Sequence, residues 1–406
     1  MRDKSTNRVF VLAASIFFAL GMIAAIGPAL PEVARNNGSS LAATGAVFTA
    51  LFLGAVPAQL LTGWLNEKFG TWRVLAGGLL VMGLGMFAAT MSRDLLLTLA
   101  FMVFAGLGDG VLVVGANVLV AQTFTKRSAS ALNFLNVFYG VGAIAAPALV
   151  GLSIGALGTA LPPIWLLSAL LISIILGIPN LKAKGGTNKT GQEHNIAVSE
   201  LRPVYLSPVA WLLGLLLLIY VGVEVGTGGW IATYMQRTTN LSVETAAFMG
   251  AAFYMALTAG RLIAAGLGMK LHPGQLFMGS LVAASIAGTG LLLGVGNMAV
   301  TIASLVLLGM SFGPIYPTML SVVATLFPTS AGKAAGFVMS VSGVGGLVIP
   351  WLQGVMIEGF GAWSFALSAA IGTVGMLTLY GVVTLLARRH TPGASTAGAP
   401  HPTYPE

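Results

Sequence analysis

Long apolar runs broken by short polar stretches pattern the whole chain. Twelve of the runs approach the roughly 20 residues that a helix needs to cross a hydrocarbon layer. They predict helices over 9–30, 41–64, 74–92, 95–123, 131–157, 162–180, 207–234, 243–266, 274–295, 297–326, 335–359 and 363–387. Inside a bilayer a helix satisfies its own backbone polar groups, which is why such runs read as spans and not as core strands. The first run is not followed by a polar mature domain, so it is expected as a retained span and not a cleaved signal. The reading is an all-α membrane protein of twelve transmembrane helices.

One polar stretch, KAKGGTNKTGQEHNIAVSELRP from Lys182, interrupts the pattern at its middle. It sets the expected organisation: a six-helix half over 1–181, a linker loop over 182–206, a second six-helix half over 207–388 and a disordered tail over 389–406. The halves repeat. Offsetting the chain by 203 residues aligns GLGDGVLVVGANVLVAQTF from Gly106 with GMSFGPIYPTMLSVVATLF from Gly309, and 13 of the 46 positions over 106–151 are identical without a gap. Gly140, Gly142, Pro147 and Gly151 fall on Gly343, Gly345, Pro350 and Gly354. Two such halves, related by an axis along the membrane normal, place a solute path at their interface and work by rocking against each other. The architecture resembles the major facilitator fold. The glycines are expected to let helices approach closely, with few of them touching solute.

Composition adds to this mainly through charge. Hydrophobic residues make up 56% of the 406 and charged ones 7%, far from the roughly 25% charged of a soluble domain. The net charge of +8 does not point to nucleic acid, because the basic residues fall on alternate loops. Fifteen of the 19, from Arg2 to Arg389, share the side of the N-terminus; Arg35, Arg93 and Arg237 lie opposite, and Arg261 lies within the eighth span. The positive-inside tendency therefore predicts cytoplasmic termini in a plasma membrane, the inner membrane if the source is bacterial. With no cysteine and four scattered histidines (His194, His272, His390, His401), neither thiolate chemistry nor a metal site nor a cofactor is expected.

The loop after the second span reads GWLNEKFGTWR from Gly63, and resembles the superfamily signature G-x-x-x-D-[RK]-x-G-x-[RK]-[RK]. Gly63, Glu67, Lys68, Gly70 and Arg73 carry the match, with Glu67 in place of Asp and Trp72 in place of a base. Its expected role is a gating latch, in which the acid meets a helix N-terminus and basic partners in one conformation only. The repeat-equivalent loop has Lys270 but no acid. In the fifth span, GAIAAPALVG from Gly142 partly matches an antiporter signature, yet the same Gly, Pro, Gly spacing recurs in the second half, which favours packing and bending at proline.

Three ionisable residues lie within spans: Asp109, Glu224 and Arg261. A charge at the membrane centre costs about 2.5–3.5 kcal/mol on insertion scales, so each is read first as functional. Glu224 and Asp109 are the candidates for coupling to a proton, and Glu224 also for binding solute; their repeat counterparts are Gly21 and Phe312. Arg261 lies near the end of its span and is assigned to the gate, where it can snorkel or pair with an acid. Groups suited to a polyhydroxylated ligand surround them: Asn117, Asn136, Tyr139, Tyr220, Trp230, Tyr316, Gln59 and Gln353, with Asn133, Thr227 and Tyr234 as further members. Amides and carboxylates pair with hydroxyls in both hydrogen-bonding senses, and an aromatic face covers the apolar side of a ring.

At these residues the chain resembles the fucose/galactose/glucose:proton symporter-like branch. YVGVEVGTGGWIATYM from Tyr220, GANVLV from Gly115, LNFLNVFYGVGA from Leu132 and FGPIYPTMLSVVATLFP from Phe312 carry the resemblance. It implies uptake of a hexose or related solute, driven by a proton or sodium gradient, through a site halfway across the bilayer; the chain is expected to work as a monomer. Two departures stand out: the acid that L-fucose permeases carry four residues before the fourth-span Asn is Val113 here, and their first-span acid is missing. The alternative reading is a proton-coupled drug efflux antiporter. A non-transporting sensor or scaffold is disfavoured because no soluble domain is appended.

Overall fold

The computed structural model describes residues 4–124, 128–178, 204, 206–239, 241–327 and 330–389. Most of the linker, the tail beyond 389, His194, His390, His401 and the Asn133 side chain lie outside the described residues. The described chain is helical throughout: α1 Lys4–Gly21, a 3₁₀ turn Met22–Ala25, α2 Ile26–Asn37, α3 Leu41–Phe69, α4 Thr71–Met91, α5 Leu95–Thr123, α6 Ser128–Leu157 and α7 Pro162–Ile175. The second half runs α8 Pro208–Thr238, α9 Val243–Leu267, α10 Pro273–Leu293, α11 Met298–Leu326, α12 Ala331–Phe360 and α13 Trp363–Arg389. Eleven spans, with α1, the 3₁₀ turn and α2 acting as one, are long and apolar enough to cross a membrane; α7, at 14 residues, is shorter.

Several boundaries differ from the sequence expectation: the second span runs on to Phe69 and the seventh to Thr238, the first starts at Lys4 and the eleventh at Ala331, and two further differences have a visible cause. The first span was expected to stop near residue 30 but continues to Asn37. Its 3₁₀ turn includes Ala24, whose carbonyl the ring of Pro28 would strike in a regular α-helix, and the tighter winding takes that clash. The sixth span ends as helix at Ile175, not at 180, and closes through turns at Gly177 and Ile178. Elsewhere the helix starts follow the capping residues. Asp94 Oδ1 accepts from Leu97 N–H at 2.9 Å, and its repeat counterpart Asn297 accepts from Val300 N–H at 3.2 Å. The 203-residue offset carries α5 onto α11 and α6 onto α12 with no change of bounds.

Small residues join helices within each half in the same way. Gly142 of α6 rests on the Phe18 carbonyl of α1, and Gly345 of α12 rests on the Leu218 carbonyl of α8. Gly110 of α5 meets the Ala55 carbonyl of α3, and Gly313 of α11 meets the Leu257 carbonyl of α9. The antiporter-like Gly142 is thus a packing contact with a twin in the other half.

The two halves meet along α3 with α12 and along α6 with α9. Because the spans alternate in direction, the ends of α1 and α13 share one face, here the terminal face; Arg8 of α1 accordingly lines a groove with Gly177 just beyond α7. On the opposite, distal face the halves are pressed together. Gly27 abuts Gly228 and Gly229, the Phe48 ring lies on Gly229, and the Phe52 ring lies on Gly346. The Thr49 hydroxyl donates to the Leu347 carbonyl at 2.6 Å. Val56 against Gly343 continues this contact toward the middle. Below it the helices part: Gln59, Asn136, Met339 and Ser340 are exposed, and a side chain added at Gly63 or Gly336 would meet nothing within 4 Å. The result is a cleft closed distally and open toward the terminal face.

Candidate functional site

Glu224 lies midway along α8, half-buried where the halves diverge. Its repeat counterpart shows why only one half has an acid there. A side chain at Gly21 would run into the Tyr139 carbonyl of α6, whereas α12 closes on α8 at Gly222 and leaves position 224 clear. Tyr220, one turn earlier on α8, is fully buried and donates its O–H to the Phe312 carbonyl of α11 at 3.1 Å. The same hydroxyl lies beside the Glu224 carboxyl, and Arg261 of α9 is the cation within its electrostatic reach. A single O–H cannot donate both ways at once. A protonated Glu224 can leave the Tyr220 bond to Phe312 in place, while an ionised one competes for it.

Around this pair the structure gathers further polar groups from both halves. Tyr139 of α6 lies within electrostatic reach of Glu224, Asp109 and Arg261. Tyr316 of α11 does so with Glu224, and its ring sits 6.4 Å from that of Tyr220. Asp109, Val113 and Asn117 form one half-buried stripe on α5, and the Asn117 amide donates to the Val113 carbonyl at 2.8 Å. Among the described residues Asp109 is half-buried and forms no hydrogen bond or ion pair with protein. Glu224, Asp109, Arg261, Tyr139 and Tyr316, each half-buried, thus form one electrostatically connected group.

Several predicted residues stand elsewhere. Trp230 does not face the cleft: it is fully buried, its indole N–H donates to the Pro350 carbonyl at 2.7 Å, and its ring is held between Gly45 and Gly354. It is part of the distal seal. Gln353 is also buried, donating to Ser368 Oγ at 2.9 Å with its oxygen turned to Gly226. Thr227 and Tyr234 donate to the Val223 and Leu291 carbonyls. Asn136, donating to the Leu132 carbonyl at 2.9 Å, and Gln59 are exposed on the terminal side of the cleft. Arg261, assigned to the gate from sequence, lies within electrostatic reach of Tyr139 and Glu224. The tight α9–α11 approach at Gly260 and Gly313 brings its helix inward.

Tyr254 was missed. Its hydroxyl packs on α8 at Gly228, and it lies within electrostatic reach of Tyr139 and Glu224. The signal was available, since Tyr254, Thr258 and Arg261 fall on one face of α9. In the signature loop, Gly70 joins α3 to α4 at a φ of 81°, a conformation that favours glycine. Lys68 Nζ lies 4.8 Å from the Trp64 ring centre, and Glu67 and Arg73 are exposed with no ion pair among the described residues.

Comparison with known proteins fits this arrangement. A family model described as Major Facilitator Superfamily matches residues 12–350 and, in an overlapping second match, 227–404. Sodium-dependent glucose transporter 1 of Xenopus laevis is 26% identical over 363 residues, covering 82% of this chain and 73% of that protein. The 4-hydroxybenzoate transporter PcaK of Pseudomonas putida is 26% identical over 419 residues, covering 91% of each. Among solved structures, the nucleoside transporter NupG superposes with a TM-score of 0.76 at 15% identity over 94% of this chain and 99% of that one. The Escherichia coli Fucose:proton symporter, FucP, superposes at 0.64 with 16% identity over 94% and 99%.

Proposed function

Because the chain belongs to the Major Facilitator Superfamily, a transporter family and not an enzyme family, we propose that it carries a neutral sugar or related polar solute into the cell together with protons. The observation that carries this reading is the Glu224 carboxyl, half-buried at the middle of the cleft beside Tyr220 and Arg261. A carboxyl there can load a proton when the cleft faces one side and release it when it faces the other, with Asp109 as the second acid. Phenol and amide groups at Tyr139, Tyr316 and Asn117 then offer donors and acceptors to hydroxyls. The glucose-transporter relatives support the solute class, and their sodium dependence makes sodium the competing ion. The excess of basic residues on the terminal face supports cytoplasmic termini in the plasma membrane. The working unit is a monomer, whose cleft both halves complete.

Arg261 favours a second reading, a solute bearing a carboxylate that would pair with the guanidinium, as the likeness to the 4-hydroxybenzoate transporter also suggests. The decisive measurement uses protein reconstituted in liposomes, with labelled sugars and 4-hydroxybenzoate offered under an imposed proton or sodium gradient. Sugar accumulation driven by an inward proton gradient, reduced at least about ten-fold by Glu224→Gln, is the expected result. Carboxylate uptake alone would shift the assignment to the second reading. Proton-linked extrusion of a dye without sugar flux would replace both with efflux.

A further inference from the structure

α3 and α12 run antiparallel across the interface between the halves, and each ends in an acid. At the distal end Glu358, two residues before the end of α12 at Phe360, crosses to the other half. Its Oε2 accepts from the Ala42 N–H at 2.8 Å. Ala42 is the second residue of α3, so its amide is one of the donors that no helical carbonyl reaches. Ser40 Oγ takes the neighbouring Ala43 amide at 3.2 Å, and Glu358 completes the cap from across the interface. A carboxylate at a helix N-terminus is also favoured by the helix dipole. At the terminal end the arrangement is reversed: Glu67 lies two residues before the end of α3 at Phe69, on the side where α12 begins at Ala331. Glu67 is exposed there and without an ion pair among the described residues.

The second interface makes the same point with different residues. The repeat counterpart of Glu358 is Gly155 in α6, and the acid facing it comes from the first turn of α9. Glu244 Oε1 lies 2.6 Å from the place a side-chain carbon at Gly155 would take. Each distal contact between the halves therefore includes one carboxylate close to a helix N-terminus.

We propose that Glu358 is a distal latch, the reciprocal of the latch expected of Glu67, and that only one of the two is engaged at a time. α3 and α12 touch from Ala42 and Glu358 down to Val56 and Gly343 and then part. Closing the terminal end opens this contact along its length, drawing Glu358 away from Ala42 while bringing Glu67 toward the start of α12. Each latch stabilises one of two states, and their difference sets the balance between them. The inference rests on the alternating-access reading but not on which solute or ion is carried.

The chain has no cysteine, so two introduced ones can be labelled uniquely. Arg93→Cys and Val295→Cys place spin labels on exposed distal loops of the two halves. Pulsed electron resonance of the full chain in lipid nanodiscs, without solute, then reads the distal separation. Glu358→Gln is expected to raise the ratio of long to short distances roughly two- to five-fold, the range for an exposed charge at a helix end. Glu358→Asp, which keeps the charge but shortens the reach, is expected to behave like Glu358→Gln. Glu67→Gln is expected to shift the ratio the other way, and the double variant to return toward the parent. An unchanged distribution in Glu358→Gln while Glu67→Gln shifts it, or both variants shifting it in one direction, would overturn the assignment. Solute uptake is measured separately, so loss of the transport reading would be recognised on its own.

Discussion

At the scale of single residues, the contrast between positions 21 and 224 shows how a duplicated frame can carry an acid in one half only. Both positions lie mid-span on equivalent helices, but the α6 backbone closes over Gly21, whereas Glu224 has room and polar neighbours. A sequence comparison of the halves reveals the asymmetry but not its cause, which is a backbone approach that no residue type announces. Tyr220 is the residue that ties Glu224 to the second half's packing, through its bond to the Phe312 carbonyl. Removing the hydroxyl in Tyr220→Phe deletes that bond and is expected to lower stability by about 1 kcal/mol, read as a lower thermal midpoint in detergent. The Phe312 carbonyl keeps its place in α11, so expression and fold are expected to persist. An unchanged or raised midpoint would show that the hydroxyl contributes nothing to the α8–α11 contact.

At the scale of helices, much was legible because membrane spans are selected by length and apolarity, both of which are local properties. α5 and α11 have the expected or nearly expected bounds, and the 203-residue offset identified their equivalence. The break in the first span was not legible, since Pro28 and the polar residues beyond it read equally as the end of a helix or as a bend within one. The glycines divide into two groups that composition cannot separate. Gly142 and Gly345 sit under a carbonyl of the neighbouring helix, while Gly63 and Gly336 face open space. Gly142→Val would force α1 and α6 apart and is expected to destabilise by about 1–3 kcal/mol or more, the usual penalty of overpacking a filled contact. Gly336→Ala is expected to be neutral or slightly stabilising, because alanine is the better helix former by about 1 kcal/mol. Thermal unfolding of the two variants beside the parent checks both; equal losses would contradict the packing assignment.

For the whole molecule, the residues of the site were easier to find than their roles. Charged and aromatic groups in apolar spans stand out in a sequence, yet whether they face the cleft depends on how the halves lie against each other. Trp230 and Gln353 are buried within or beside the distal seal, and Glu358, an unremarked acid at a helix end, holds the seal across the interface. The Glu358–Ala42 bond joins residues some three hundred positions apart, so no local pattern signals it. If the halves must part distally for solute to enter, then a covalent bond across that contact must stop turnover. Val56 and Gly343 suit the test, because they face each other across the interface: a side-chain carbon at Gly343 would lie 3.2 Å from Val56 Cγ2. With Val56→Cys and Gly343→Cys in the cysteine-free chain, oxidation is expected to reduce liposome uptake at least about ten-fold, and reduction to restore it. Each single variant controls for the substitution itself. Full uptake by the demonstrably cross-linked protein would mean that this interface does not open, and alternating access by rocking of the two halves would have to be abandoned for this chain.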